Sequence, residues 1–247
     1  KNNERYFFYL GSINKNLNLL DEALNNFKNV LIENKSNVAS YINIAGILDQ
    51  QKKYVEEIKY LTYAHELKPT DDKIIYLLAR AQRKNKNYEL AIKNFEKIKS
   101  QFKETSVLLN LAECNKFLFE KDKAIHFYEK YIQKEKKNIK VYLSLGYLYS
   151  DKKKYTDALR AFGQAEKLSP ADFRSYLGVS KIVNDKKKVI ELLSTAYKLS
   201  GNDPSIYLEK ILAQSKICDW SFWDNKLTNL KKLFSLTTNI SPFSVFF

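Results

Sequence analysis

Apolar and polar residues follow one another at helical spacing along this chain, and the pattern repeats. Between residues 139 and 172, large and small apolar side chains recur on two segments about every three to four positions, the spacing of a helix with one buried face. A polar turn at residues 151–154 separates the two segments. This stretch is therefore predicted to form one helical hairpin.

The same pattern recurs with a period of roughly 34 residues through most of the chain. We call each position that recurs in the units a slot. One slot of the first segment, directly after a leucine, isoleucine or valine, is always small and holds Gly11, Ala45, Ala79, Ala112, Gly146 and Ser180. The bulky slot of the second segment holds Phe27, Leu61, Phe95, Tyr128, Phe162 and Leu193. So short a hairpin cannot bury both apolar faces alone, and the small residues predict close contact with neighbouring hairpins.

Two units depart from the pattern. Four of the units have alanine in the small slot of the second segment, whereas the second unit has Glu57. A carboxylate there predicts either loosened packing or a side chain at the edge with its charge in solvent. In the sixth unit, Ala196 follows Ala165 sooner than the period requires, which predicts a trimmed first helix or turn.

These recurring slots resemble the tetratricopeptide repeat over nearly the whole chain. The resemblance implies an all-α fold, a right-handed α-α superhelix of helical hairpins. It also implies a division into two parts. Residues 1–204 would form a solenoid of about six repeats, and residues 205–247 the last hairpin and the start of a junction.

The formal charge of +14 raises the question of a nucleic-acid partner. Many lysines fall in the turn that follows a first helix, as at 152–154 and 186–188, where cations are favoured by the helix dipole. Aromatic residues do not interleave with them in the sequence, as single-stranded nucleic acid would require. The lysines are interpreted as a solvated ridge, with nucleic acid as the less favoured alternative.

Catalytic chemistry has little support in the residues. Neither the two histidines nor the two cysteines stand at the spacing of a nucleophile or a metal site, and there is no glycine-rich phosphate loop. Cys114 occupies an apolar slot and is predicted to lie in the core, whereas His126 shares a slot with polar residues and should lie at the surface. We expect no active site, metal or bound cofactor in this chain.

The location of the protein is an expectation from absences in the sequence. No apolar run approaches the length of a membrane span, and the first residues lack the cleavage site of a secretory signal. We expect a soluble, cytoplasmic protein with no membrane partner. The chain has no methionine and begins inside a repeat, which predicts an internal piece of a longer protein.

The first helices of such repeats line a concave groove that can hold a protein or peptide partner. The inward positions predicted for this groove are Asn43, Lys73, Arg80, Asn110, Glu113, Lys140 and Tyr147. The amides of Asn43 and Asn110 can both donate to and accept from a peptide backbone. The alternative is that these two asparagines are ordinary polar surface residues.

A different motif follows the last repeat helix. Cys218, Asp219, Trp220, Trp223 and Asp224 resemble the junction between tetratricopeptide repeats and the catalytic region of protein O-GlcNAc transferases and SPINDLY-like proteins. Trp223 stands where that junction usually has tyrosine. Trp220 and Trp223 also begin an apolar stripe at helical spacing, which predicts a closing helix.

The resemblance implies that the chain is the substrate-recognition part of a protein glycosyltransferase. A nucleotide-sugar donor would then be bound by a region that is absent from this chain. The alternative function is a free-standing tetratricopeptide scaffold for assembling protein complexes. The sequence indicates no particular oligomeric state.

Overall fold

The structure is a computed structural model that describes residues 2–98 and 102–217. Within those ranges it contains 13 α-helices and no strand, which confirms the predicted all-α fold built of helical hairpins. Cys218, Asp219, Trp220, Trp223 and Asp224, with the stripe they begin, lie outside the described residues.

The chain divides into two compact units, Lys1–Glu135 and Lys136–Phe247. The helices of the first unit are α1 Asn2–Asn16, α2 Leu20–Glu33, α3 Val38–Gln50, α4 Tyr54–Leu67, α5 Asp72–Lys84, α6 Tyr88–Phe95, α7 Glu104–Phe117 and α8 Lys121–Lys134. The described helices of the second unit are α9 Ile139–Asp151, α10 Tyr155–Leu168, α11 Phe173–Ser180, α12 Lys186–Leu199 and α13 Pro204–Ser215. Helices α1 to α12 pair in sequence as antiparallel hairpins, with the odd-numbered helix first in each pair.

Side-chain caps fix where several first helices begin. A backbone N–H of the first turn donates to the side chain of Asn37 before α3, Asp71 before α5, Asp172 before α11 and Asp203 before α13. Such a cap satisfies a donor that has no partner within the helix and is worth about 1 kcal/mol.

Five hairpins close with the same backbone turn. One residue in each turn adopts a left-handed conformation with φ between 57° and 64°; these residues are Asn18, Lys52, Lys86, Phe119 and Lys153. The next residue donates its N–H to a carbonyl of the preceding helix at 2.8–2.9 Å, which satisfies one of the unpaired carbonyls at the helix end. Residues 152–154 follow the C-terminus of α9, as predicted. The prediction is wrong for the lysines at 186–188, which form the first turn of α12 after its cap Asp185, and for Lys121 and Lys123, which lie in the first turn of α8. At a helix N-terminus the dipole does not favour a cation.

The recurring bulky slots form the core. All six of their side chains are at most 3% exposed, as the sequence predicts. The ring of Phe162 packs so closely against two first helices that a Cβ added at Gly146 or Gly178 would lie 2.6 Å or 2.3 Å from a ring carbon. The small residues are thus required by the approach of a bulky neighbour.

Two helices are short, and they change the regularity of the stack. Helix α11 has eight residues where α9 has 13, which confirms the trimmed first helix of the sixth unit. Helix α6 also has eight residues, whereas α4 has 14. The period does not predict this short helix, although Ile98 in the third unit stands where the fifth unit has the small Ala165.

Of the two alternatives expected for Glu57, the one in which its carboxylate reaches solvent is wrong. Its side chain is 1% exposed, and its Oε2 has no hydrogen-bond partner in the part of the chain that the structure describes. Leu61 and Ala64 on the same helix remain fully buried, so the carboxyl is enclosed by an intact core. Burial, reinforced by the nearby charge of Asp49, raises the pKa of Glu57 to about 7.

Candidate peptide-binding face

The first helices of the first unit are joined by polar contacts that cross from hairpin to hairpin. Lys15 Nζ donates to Asn43 Oδ1 at 2.9 Å, which joins α1 to α3. Arg80 Nη2 lies 3.0 Å from Asp49 Oδ2, which joins α3 to α5. Arg83 Nη1 lies 2.8 Å from Glu113 Oε2, which joins α5 to α7. We call the surface formed by α1, α3, α5 and α7 the first-helix face.

Both predicted groove asparagines make contacts within their own helices. Asn43 Nδ2 donates to the carbonyl of Ala39 at 3.0 Å while its Oδ1 accepts from Lys15. Asn110 is 8% exposed, and its Nδ2 donates to the carbonyl of Ser106 at 2.7 Å. A peptide backbone would therefore have to compete with existing hydrogen bonds at both positions.

The three charged residues predicted for the groove in this unit have different surroundings. Lys73 is exposed in the first turn of α5. Arg80 and Glu113 are half-buried in the ion pairs described above. These ion pairs join consecutive hairpins, so Arg80 and Glu113 stabilise the packing of the hairpins in addition to lying at the surface.

Sequence reasoning missed three residues that organise this face, namely Lys15, Asp49 and Arg83. They share one slot of the repeat, and Lys116 occupies the same slot in the fourth unit. The signal was present, because a charged residue recurs at the repeat period one helical turn after the position of Arg80 and Glu113. Asp49 also pairs with Lys84, so one carboxylate faces two cations.

The remaining two predicted groove residues lie in the second unit. Lys140 is exposed in the first turn of α9. Tyr147 is 36% exposed, and its hydroxyl donates to the carbonyl of Arg174 at 3.1 Å, which ties α9 to α11. Burial raises the pKa of Tyr147. The ring also packs edge-on against Phe162, with centroids 5.0 Å apart.

Possible metal ligands, Cys114 and His126 were each located in the structure. No group of three or more histidine, cysteine, aspartate or glutamate side chains within 2–98 and 102–217 could hold a metal ion. Cys114 is fully buried, and burial raises the pKa of its thiol to about 12, so it is a core residue, as predicted. His126 is exposed, also as predicted.

Stacked antiparallel hairpins of this kind define a helical-repeat protein. Family models of the tetratricopeptide repeat match residues 74–105, 106–137 and 139–172, which correspond to the hairpins α5/α6, α7/α8 and α9/α10. The chain therefore contains tetratricopeptide repeats, a repeat suited to protein–protein interaction. No curated protein matches the sequence.

Solved structures of other repeat proteins share the fold at low sequence identity. The C-terminal part of a tetratricopeptide repeat-containing protein from Cytophaga hutchinsonii is 18% identical, with a TM-score of 0.70 over 96% of each chain. MamA protein is 22% identical, with a TM-score of 0.64 over 69% of this chain and 93% of its own. YrrB, described as having an unusual peptide-binding site, is 17% identical, with a TM-score of 0.62 over 74% of this chain and 97% of its own.

Among the described residues, none of the helices combines the length and the apolar character that crossing a bilayer requires.

Proposed function

We propose that the first-helix face binds an extended segment of a protein partner. The observation that carries this proposal is that four consecutive first helices present polar and charged side chains on one continuous surface. A helical stack offers such a surface at right angles to its helices, where one extended segment can contact several hairpins in turn.

The likeness to YrrB supports the proposal only as far as the fold. That protein is described as a peptide-binding repeat protein, and its identity to this chain is too low to carry over a site. Support for peptide binding here rests on the residues of α1, α3, α5 and α7. In the second unit, Lys140 and Tyr147 remain predicted binding residues.

Filling the surface at Gly46 tests the proposal. Only Lys15 Nζ comes within 4 Å of a Cβ added at Gly46, at 3.6 Å, so a larger side chain there should extend over the face without entering the core. We expect Gly46→Tyr to weaken binding of peptides selected from a random phage-displayed library roughly tenfold or more, measured by fluorescence anisotropy.

A matched control uses Gly163 on α10, where nothing lies within 4 Å of an added Cβ. Gly163→Tyr should leave peptide affinity unchanged. Equal affinities for the unmodified protein and Gly46→Tyr would place binding elsewhere and overturn the proposal.

The turn lysines provide a second test, because they lie at hairpin ends and not on the first-helix face. We expect the reversal of Lys152, Lys153 and Lys154 to glutamate to leave peptide affinity nearly unchanged. The readout is the same anisotropy titration, repeated with single-stranded nucleic acid across a range of salt concentrations. Tight nucleic-acid binding whose steep salt dependence is flattened by the reversal would contradict the peptide-binding reading.

The more specific proposal is that these repeats present protein substrates to a glycosyltransferase region that binds a nucleotide sugar in the cytoplasm. It is supported by the likeness of residues 218–224 to the junction of O-GlcNAc transferases and SPINDLY-like proteins. Sequencing the gene beyond Phe247 tests it directly. Two nucleotide-binding α/β lobes should follow, whereas further repeats or a stop codon would favour the assembly scaffold.

A further inference from the structure

A buried carboxyl group lies next to the ion pairs that join α3 to α5. Glu57 on α4 is 1% exposed, and its Oε2 accepts no hydrogen bond from any residue that the structure describes. The helices α3 and α5 both pack against α4. The charged groups that they direct towards Glu57 are Asp49 from α3, and Arg80 and Lys84 from α5. Three helices thus bring two carboxyl groups and two cations together.

The two cations share one charged partner while Glu57 keeps its proton. Arg80 and Lys84 both contact the carboxylate of Asp49, so these three groups together carry one net positive charge. The Nε of Arg80 is shielded from solvent and has no hydrogen-bond partner within the described ranges. The cluster can therefore accommodate a second carboxylate.

The side chain of Lys84 already extends from α5 to α4. Its ammonium lies 5.8 Å from the centre of the Tyr54 ring, in the first turn of α4. Tyr54 and Glu57 are three residues apart, so they lie on the same side of that helix. Burial raises the pKa of Glu57 to about 7, and of the two cations Lys84 opposes this rise more than Arg80 does.

Lysine and arginine differ in how readily they can change partners. Lysine is a point charge on a flexible stem, whereas arginine holds a carboxylate through a rigid planar fork. Lys84 can therefore leave Asp49 with less disturbance than Arg80 can.

We propose that Lys84 exchanges its partner with pH, pairing with Asp49 while Glu57 is protonated and with Glu57 once that carboxyl is ionised. A carboxylate that loses its proton in the core needs a cation close by, because an unpaired buried charge is strongly destabilising. After the exchange, Arg80 and Asp49 alone join α3 to α5, and Lys84 joins α5 to α4.

The exchange makes the first-helix face sensitive to pH near neutrality, because Asp49 lies on that face and the titration of Glu57 is centred at about 7. Lowering the pH returns Lys84 to Asp49 and restores the second link between α3 and α5. The inference goes beyond the proposed function and holds whether or not the face binds a peptide.

A double-mutant cycle tests the exchange with the full chain. Urea unfolding of the unmodified protein, Lys84→Gln, Asp49→Asn and the double variant gives the coupling between Lys84 and Asp49. At about pH 5.5 the coupling should change the unfolding equilibrium constant roughly fivefold, and at about pH 8.5 it should fall below roughly twofold. In the Glu57→Gln background, where residue 57 cannot ionise, the coupling should be the same at both pH values.

The titration of Glu57 provides a second measurement that does not require unfolding. Carboxyl carbon-13 NMR of protein labelled at glutamate follows the ionisation, and the signal that Glu57→Gln removes identifies the residue. Lys84→Gln takes away the partner of the ionised form and should raise the midpoint by roughly one pH unit. Lys59→Gln is the matched control and should leave the midpoint unchanged, because Lys59 is an exposed lysine two residues from Glu57 on the same helix.

Three results would overturn the exchange. Equal coupling at both pH values would show that Lys84 stays with Asp49. A midpoint that Lys84→Gln does not move would show that ionised Glu57 does not pair with Lys84. An equal upward shift in Lys59→Gln would show that general positive charge is responsible. None of these results bears on peptide binding, which Gly46→Tyr tests separately.

Discussion

Replacing Glu57 by alanine should stabilise the protein above neutral pH and destabilise it in acid. The pKa of Glu57 is raised from 4.5 to about 7, and each unit is worth about 1.4 kcal/mol. The folded state therefore loses about 3 kcal/mol when the buried carboxyl ionises. Alanine occupies this slot in four other units, and it cannot ionise.

The direction of the pH effect follows from the two pKa values. Glu57 binds its proton more tightly in the folded state than in the unfolded state, so its contribution to stability is fully present below about pH 4.5. That contribution is lost as the pH rises to about 7, and it does not change further above that value. Alanine lacks the Cγ methylene and the carboxyl group, and the lost burial together with the cavity left behind costs about 1.5 kcal/mol at every pH.

The measurement is urea unfolding of both proteins across this range. We expect Glu57→Ala to be more stable than the unmodified protein by about 1 to 2 kcal/mol near pH 8 and less stable by a similar amount near pH 4.5. Glu57→Gln is the matched variant, because it keeps the volume and cannot ionise. A stability difference that does not change with pH would show that Glu57 does not titrate in this window.

Gly146→Leu should destabilise the second unit by about 3 kcal/mol. A Cβ at this position would lie 2.6 Å from Phe162 Cε1, and the ring cannot retreat because Gly178 lies against it as well. Either the ring or helix α9 must move, and overpacking of this kind strains the core. Thermal or urea unfolding measures the loss.

Two companion variants distinguish steric conflict from a change in helix propensity. Gly163→Ala has open space around the new methyl group and should stabilise α10 by about 1 kcal/mol. The double variant Gly146→Leu/Phe162→Ala should lose much less stability than the sum of the losses in the two single variants, because Phe162→Ala removes the ring that clashes with the leucine. Strict additivity of the two losses would show that the leucine does not meet the Phe162 ring.

The repeat pattern predicted the fold because the relevant information is local and periodic. Small slots such as Gly146 and bulky slots such as Phe162 recur in phase. The size of the residue in each slot indicates how closely a neighbouring helix packs there. The caps at Asn37 and Asp71 are likewise visible in the sequence, since they stand just before an apolar run. These features depend on neighbours at fixed spacing, and sequence reasoning reads such spacing well.

The candidate site was only partly predictable from the sequence. Its contacts join side chains of different hairpins, and the repeat period does not specify how far each side chain extends. The groove position of Arg80 followed from the repeat, but its pairing with Asp49 depends on how long side chains extend between hairpins. Glu57 was recognised as an exception, yet its enclosure depends on the second-helix core around it. The junction at 218–224 lies outside the described residues and stays a prediction.

The shared backbone turn has a consequence for how this protein can change over generations. Asparagine, lysine and phenylalanine all occupy the left-handed position, and the same main-chain hydrogen bond closes each turn at 2.8–2.9 Å. Phe119 is 83% exposed there, so its side chain adds little to holding the hairpin closed. Mutations at the turns can therefore alter the charge or the exposed apolar area of these hairpin ends without disturbing the first helices. The hairpin ends and the first-helix face are therefore free to evolve separately.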